Sequence, residues 1–468
     1  MTAQTILPAN SAASGGFDVA NSVRLTGTND YFHKTPSSSG SQRLFSFSAW
    51  VKKADFSTGV LFSSGEADGN PNLALYFDSS SRINMYSTQG MQYITTRVFR
   101  DPSAWYHIVF VVDTENGTEN DRQQLYVNGV RETVFTTSNV IGQNTDLSIN
   151  TGDYRMAVGT GVDDDDYFGG YMAEVVFVDN QALASTSFGE FDSDSGIWKP
   201  KNVNPLTFGT NGFYLNFQDS SNLGNDVNGG TDLTEVNLAA TDQSTDTCTN
   251  NFATFNAAHP ALANATFSEG NLQFASDGSA STQNPASSSI AVSTGKWYAE
   301  FNVVAESTRS GSYSYVGVAG TATWLSAANN AYYIGNQADT IGYNGNQAVY
   351  SAGNEVDNSE TNYANGNIVG VAADFTNSKI YFHVNGTYIN SGDPAGASNG
   401  YNIPATAQSF YYFAVSTFGK NATWQANFGS PPYAISSGNA DADGHGNFEY
   451  AVPSGYFALC SKNLAEYG

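Results

Sequence analysis

The chain has 468 residues, too many for one ordinary domain, and a net charge of −25 from 43 Asp and Glu against 18 Lys and Arg. Holding a phosphate backbone takes clustered Lys and Arg, so this balance speaks against a nucleic-acid binder, and no apolar run approaches the length of a membrane span. Charged residues are only 13% and aromatics another 13%, so the surface must be mostly Ser, Thr, Asn, Gln and Gly over aromatic sheet cores, and intrinsic disorder is excluded.

Residues 1–16 read as a small, polar arm that is mobile or docks on a partner. They lack a basic stretch and an apolar stretch of secretory type, so the protein is expected to be made in a cytosol without standard export. Strands begin at Ser22. Phe45, Phe47, Ala49 and Val51 then alternate with Ser46, Ser48, Trp50 and Lys52, the pattern of a half-buried strand. Further short strands follow at Val60–Ser64, Leu73–Asp78 and Arg82–Tyr86. Trp105–Val112 is apolar on both faces, the mark of a strand buried on both sides. Its partner, Leu125 to Val127, ends in Asn128-Gly129. That dipeptide favours a type I′ hairpin turn, which needs positive φ at both central residues. Arg155–Gly159 and Tyr167–Val178 continue the series, and Ala182–Phe188 reads as one helical turn. Short strands and turns at this rhythm predict a β-sandwich.

Five segments in order, SVRLTGTNDYF, FSFSAWVKK, WYHIVFVVD, LYVNGV and FGGYMAEVVFVDNQAL, resemble the laminin-G-like, concanavalin-A-like lectin/glucanase sandwich. Phe168-Gly169-Gly170, Glu174, Val175–Val178 and Ala182-Leu183 carry the resemblance most strongly. It covers roughly residues 17–200. Residues 201–250, rich in Asn, Thr, Asp and Gly, read as a structured connector, because Phe213, Leu215 and Phe217 need burial.

A second all-β unit is expected over 251–434. Ile368–Phe375, then Asn377-Ser378, then Lys379–Gly386 repeat the strand pair ending in Asn-Gly. Trp297-Tyr298-Ala299-Glu300, Val316-Gly317-Val318, Gly370–Asp374 and Asn427-Phe428-Gly429 resemble the SPRY sandwich. Ala327–Tyr363 departs from that pattern and reads as loop. The fold class is therefore all-β, two antiparallel sandwiches of concanavalin-A-like type in tandem, followed by a tail over 435–468. The order of the two modules, and a tail of the form Pro453-Ser-Gly-Tyr-Phe-Ala-Leu-Cys460, resemble structural proteins of tailed bacteriophages.

Candidate chemistry is sparse. A retaining glycanase needs two carboxylates roughly 5–5.5 Å apart, and no Glu-x-Asp-x-x-Glu strand is present. The nearest approach is Glu190, Asp192 and Asp194, in a Ser/Gly-rich segment that reads as a solvated loop. His33, His107, His259, His383 and His445 are scattered, without metal-site spacing; His107 and His383 lie inside strand runs and read as packed. Asp163, Asp164, Asp165 and Asp166 form one dense carboxylate cluster. It reads as an exposed acidic turn, with Ca²⁺ as the alternative, which the resemblance strengthens because laminin-G-like sandwiches hold calcium at the rim. Trp324, Tyr332, Tyr333, Tyr343, Tyr350 and Tyr363 lie among Asn, Gln and Gly and form the candidate ligand surface, since aromatic faces take sugars and protein partners alike. Cys248 and Cys460 read as two buried thiols, with their pairing left open.

The resemblance implies a non-enzymatic virion protein displayed as a fibre, spike or decoration. Its expected partners are other virion proteins, further copies of itself and a host-surface glycan. A glycan-degrading enzyme on the same sandwich, a capsid-cementing decoration without ligand and a free lectin or adhesin are the rival readings.

Overall fold

The computed structural model describes residues 16–67, 69, 71–258, 265–277, 283–306, 313–320, 333–404, 410–418 and 421–468. The chain divides into two compact units at Asn251/Phe252. Each is a sandwich of two mostly antiparallel sheets, as the strand periodicity predicts.

In the first unit the back sheet runs Val130–Arg131, Gln123–Val127, Trp105–Asp113, Leu44–Lys53, Gly169–Asp179, Ser22–Thr26, Gln243–Ser244, with Phe213–Leu215 also paired to Gly169–Asp179. The front sheet runs Phe135–Asn139, Gln92–Thr95, Ile83–Ser87, Leu73–Phe77, Gly59–Gly65, Arg155–Val158, Tyr31–Lys34, Thr234–Val236. Between them lies a core that includes Phe45, Phe47, Phe62, Phe110, Phe177 and Leu215. The Asn-Gly turn forms as expected, with φ of 49° at Asn128 and 77° at Gly129.

Two expectations change here. Leu44–Lys53 is buried on both faces, not half-buried. The outer face of the back sheet is covered by the chain itself: Phe188, Val203, Phe208 and Tyr214 pack on Val109, Val111, Val176 and Val178, and Val19, Trp198 and Cys248 pack around Trp50 and Trp105. Residues 201–250 are therefore part of this unit and not a connector, because they supply one strand to the front sheet, two to the back sheet and part of the cover. The helical turn is a short 3-10 segment, Ser185–Ser187.

In the second unit the back sheet runs Ala265–Ser268, Gln273–Asp277, Asn421–Asn427, Lys296–Glu306, Ile368–Asp374, Lys379–Val384, Thr387–Tyr388. The front sheet runs Gln283–Ser287, Tyr411–Phe418, Tyr313–Gly320, Thr340–Asn344, Val349–Ser351, Asn354–Asp357. The last three strands occupy the stretch read as loop. The Gly-rich composition masked a meander whose turns fall at Gly345-Asn346 and Ala352-Gly353. The tail packs on this unit. Phe457–Ala458 pairs parallel with the Lys296 strand, helix Ser461–Tyr467 follows, and Phe448, Tyr456 and Cys460 cover Tyr298, Ala372 and Tyr381. Cys248 and Cys460 are both buried.

Candidate functional site

Strand pairing brings three distant segments to one end of the first sandwich. Thr234 lies opposite His33, which sets the turn 228–234 beside Lys34–Ser37. Leu215 lies opposite Val175, which draws 209–212 to the same end. The three segments enclose a cavity of about 400 Å³, within the range of roughly 300–1,000 Å³ typical of small-ligand sites. Thr35, Ser37, Thr210, Asn228, Thr231 and Thr234 line it and are exposed.

The walls are held by buried carboxylates and amides. Asp179 accepts hydrogen bonds from the Ser41 N–H at 2.8 Å, from Asn150 Nδ2 at 2.5 Å and from the Asn211 N–H at 3.2 Å. Asn211 in turn donates through Nδ2 to Ser38 O and Asn150 Oδ1. On the other wall Asp226 Oδ1 accepts from the Tyr214 and Asn228 N–H groups at 3.0 and 3.1 Å. Burial raises the pKa of Asp226 against those bonds. Asp232 accepts from the Asp226 N–H and from Asn222 Nδ2, which hold it below the usual carboxylate range. Lys34 Nζ donates to Thr231 O at 3.1 Å. Desolvation lowers its pKa, opposed by Asp226 and Asp232. The result is a preorganised cleft offering hydroxyls, two amides, the Asp232 carboxylate, peptide groups of four glycines and one ammonium. Such a lining can hydrogen-bond a ligand rich in hydroxyl groups from several directions.

The residues singled out by sequence lie elsewhere. Tyr343 and Tyr363 are core residues of the second unit, 0% and 3% exposed. The Tyr343 hydroxyl donates to Thr361 O, and Tyr363 Oη donates to Ser314 O at 2.7 Å. Tyr333 stacks on Tyr315 at 4.6 Å and Tyr350 packs edge-on against the same ring at 6.1 Å. Tyr343 and Tyr363 thus belong to the core, whereas Tyr333 and Tyr350 are half-buried and share one cluster around Tyr315 outside it. Trp324 and Tyr332 lie outside the described residues.

The Asp163–Asp166 carboxylates do not converge on one point. Asp164 is paired with Arg155 at 2.5 Å. Asp163 is pushed up to about 6 by desolvation and a hydrogen bond with Asp165. Among the described residues no group of three or more His, Cys, Asp or Glu is placed to hold a metal ion. Asp192 accepts from the Asp194 and Ser195 N–H groups, from Ser195 Oγ and from Lys199 Nζ. It shapes the turn between Gly189–Phe191 and Trp198–Pro200.

His107 and His383 are packed, as their strand positions predict. Trp198 Nε1 donates to His107 Nδ1 at 3.0 Å, so Nε2–H faces Ser48 Oγ at 2.8 Å. The Gly386 N–H donates to His383 Nδ1 at 3.1 Å, so Nε2–H faces Tyr298 Oη at 2.7 Å. Desolvation pushes the two rings down to about 3 and about 4.

The sequence of residues 26–186 matches the family described as the concanavalin A-like lectin/glucanases superfamily (Laminin_G_3). The match covers less than half of the chain. It takes in the Lys34 wall of the cleft but not the walls at 209–212 and 228–234. A comparison with curated proteins gives no match. Among solved structures, the chain is similar to the SPRY domain of human HERC1 at 14% identity and TM-score 0.29, over 37% of this chain and 96% of that one. It is also similar to a Bacteroides ovatus protein proposed to bind carbohydrate, at 14% identity and TM-score 0.33, over 48% and 61%. A third is the heptameric SAP-like pentraxin of Limulus polyphemus, at 14% identity and TM-score 0.25, over 36% and 81%.

Proposed function

We propose that this chain is a non-enzymatic binding protein that takes a glycan in the polar cleft of its first unit and is displayed on a phage particle as a fibre, spike or decoration. The cleft carries the reading. Its size suits a small ligand, its walls are fixed by buried hydrogen bonds, and its exposed lining is made of hydroxyls, the Asn228 amide, the Asp232 carboxylate and peptide groups. The lectin-like character of the matched family supports a sugar as the ligand. Display on a virion rests on the resemblance carried by the two modules in tandem and the Pro453–Leu464 tail.

The test uses the intact protein on an array of bacterial and algal polysaccharides, followed by calorimetry on the best binder. Thr210→Ala with Asn228→Ala is expected to weaken binding at least about tenfold, the equivalent of 1.4 kcal/mol, with an unchanged melting temperature. No polysaccharide should release reducing ends. Binding indifferent to both substitutions moves the site elsewhere, and labelling of virions by an antibody against the chain tests display.

A further inference from the structure

Lys52 lies on the middle strand of the back sheet of the first unit, opposite Trp105 on one neighbouring strand and Tyr171 on the other. Both rings belong to the covered outer face, and the Lys52 ammonium sits 5.4 Å from the centre of the Tyr171 ring. The cover reaches it through one tight turn. Thr247 and Asn250 bond to each other through both peptide groups, at 3.1 and 3.2 Å, so Asp246 and Asn251 flank the turn together. Lys52 Nζ donates to Asp246 Oδ2 at 2.7 Å and to Asn251 Oδ1 at 2.8 Å. Trp105 Nε1 donates to Asp246 Oδ1 at 3.1 Å, and Asn251 Nδ2 donates to Ser103 O at 2.7 Å. These bonds fix the carboxylate and the carboxamide around one amine. Lys52, Asp246 and Asn251 are 0%, 1% and 1% exposed, so the amine, the carboxamide and the acid–base group meet out of water.

We infer that Lys52 and Asn251 become joined by an isopeptide bond, with Asp246 carrying the protons. Separated charges are costly away from water, and the Lys52 proton has a path to Asp246 along their hydrogen bond. The neutral Nζ then attacks Asn251 Cγ. With Oδ1 at 2.8 Å and a C=O bond of about 1.23 Å, Cγ lies within about 4 Å of Nζ. A small side-chain rotation brings it to the roughly 3–3.5 Å of a reactive arrangement. The Nζ–Cγ bond forms and the Cγ–Nδ2 bond breaks. Nδ2 leaves as ammonium, taking a second Nζ proton and the one held by Asp246, which returns to carboxylate. Holding the groups together supplies the effective concentration that an unactivated carboxamide needs. Until the bond forms, the ion pair alone holds this part of the cover.

The bond closes a span of 199 residues and ties the middle strand of the back sheet to the last residue of the first unit. A pull on the chain beyond Phe252 then passes directly into that strand. A second lysine–asparagine contact, Lys379 Nζ to Asn402 Oδ1 at 2.6 Å, lies at the surface. Among the described residues Lys379 has no ion pair with a carboxylate, so it serves as the internal control.

Intact-mass spectrometry and peptide mapping compare protein taken soon after purification with protein aged at neutral pH. The aged wild type is expected to be lighter than its sequence by one ammonia. Its digest should contain a branched peptide joining Lys52 to Asn251, no tryptic cleavage after Lys52, and no branch at Lys379. Asp246→Asn is expected to slow the loss about a hundredfold or more. Asn251→Asp keeps an amine, a carbonyl and Asp246 in place, and is expected to form the same link with loss of water instead of ammonia; it decides the case if Asp246→Asn does not fold. A wild type that keeps its full mass at both times overturns the proposal. So does an ammonia loss that maps to a succinimide at an Asn-Gly turn and leaves Lys52 cleavable, or a link that forms as fast in Asp246→Asn as in the wild type.

Discussion

The two sandwiches solve one problem with the same parts and different fastenings. In each, a central strand pair ends in Asn-Gly, and a later segment of chain lies over the outer face of the back sheet. In each, a neutral histidine of that strand pair is buried beneath the cover. A side chain at either turn glycine would strike a covering ring: a Cβ on Gly129 would fall 2.2 Å from Trp198, and one on Gly386 would fall 2.7 Å from Tyr450. The fastenings differ. The first unit uses an ion pair, Lys52 Nζ to Asp246 Oδ2 at 2.7 Å, with Asn251 and the Trp105 indole N–H completing it. The second uses carboxylates against peptide N–H groups. Glu300 accepts from Glu449 and Tyr450, and Asp441 accepts from Asp443, His445 and Ala458. A sheet face too apolar to be left wet can thus be sealed by sequence far away, and what anchors the seal sets how each unit should fail.

The largest difference is expected at the covering rings. Trp198→Ala removes a buried indole and the donor to His107 Nδ1. Burial loss alone costs about 3–5 kcal/mol, and the stranded acceptor adds about 1–3. Tyr450 is half-buried, and Tyr450→Ala should cost roughly half as much or less. Hydrogen-exchange mass spectrometry reports the two units separately, and equal losses of protection would break the comparison.

The ion pair comes next. Lys52→Met leaves Asp246 buried with one partner fewer, a change worth about 3–5 kcal/mol, whereas Lys52→Met with Asp246→Leu should recover much of it. Chemical denaturation of the full chain measures both. If the double variant is as unstable as the single one, packing around Trp105 and not charge holds the first cover in place.

These fastenings explain what the sequence makes legible. Asn128-Gly129 and Asn385-Gly386 announce their turns because only a few residue types take positive φ. The two apolar faces of Trp105–Val112 announce burial on both sides. Lys52 and Asp246, by contrast, are 194 positions apart, and nothing local to either names the other. The cleft is hidden for the same reason, since its walls at 34–37, 209–212 and 228–234 meet only once Thr234 pairs with His33 and Leu215 with Val175. The tyrosines of the second unit misled in the opposite direction. Their polar, Gly-rich surroundings suggested a loop, yet Ile341, Tyr343 and Val349 line the core of a meander.

The smallest and most discriminating contrast is in pH. Among the described residues each unit buries one histidine and one glutamate whose titrations oppose. His107 and His383 fall from an ordinary 6.5 to about 3 and about 4, through desolvation. A depressed pKa gives stability that is complete above pH 6.5 and is lost as pH falls. Glu174, which accepts from Tyr214 Oη at 2.6 Å, and Glu300 rise from 4.5 to about 7, again through desolvation. A raised pKa gives stability that is complete below pH 4.5 and is lost as pH rises. Between pH 4.5 and 6.5 both act, each with a slope of about 1.4 kcal/mol per pH unit and with opposite signs. Their contributions oppose one another within each unit of the wild type. Glu174→Gln and Glu300→Gln each remove one side of that balance, so the affected unit should lose stability relative to wild type as pH is lowered from 6.5 to 4.5. His107→Asn should do the reverse in the first unit. Stability measured against pH for wild type and variants gives the slopes as differences, free of all other titrations. A difference that stays flat across this window would mean that the buried glutamates keep ordinary pKa values, and for Glu300 it would mean that its peptide and side-chain donors outweigh its burial.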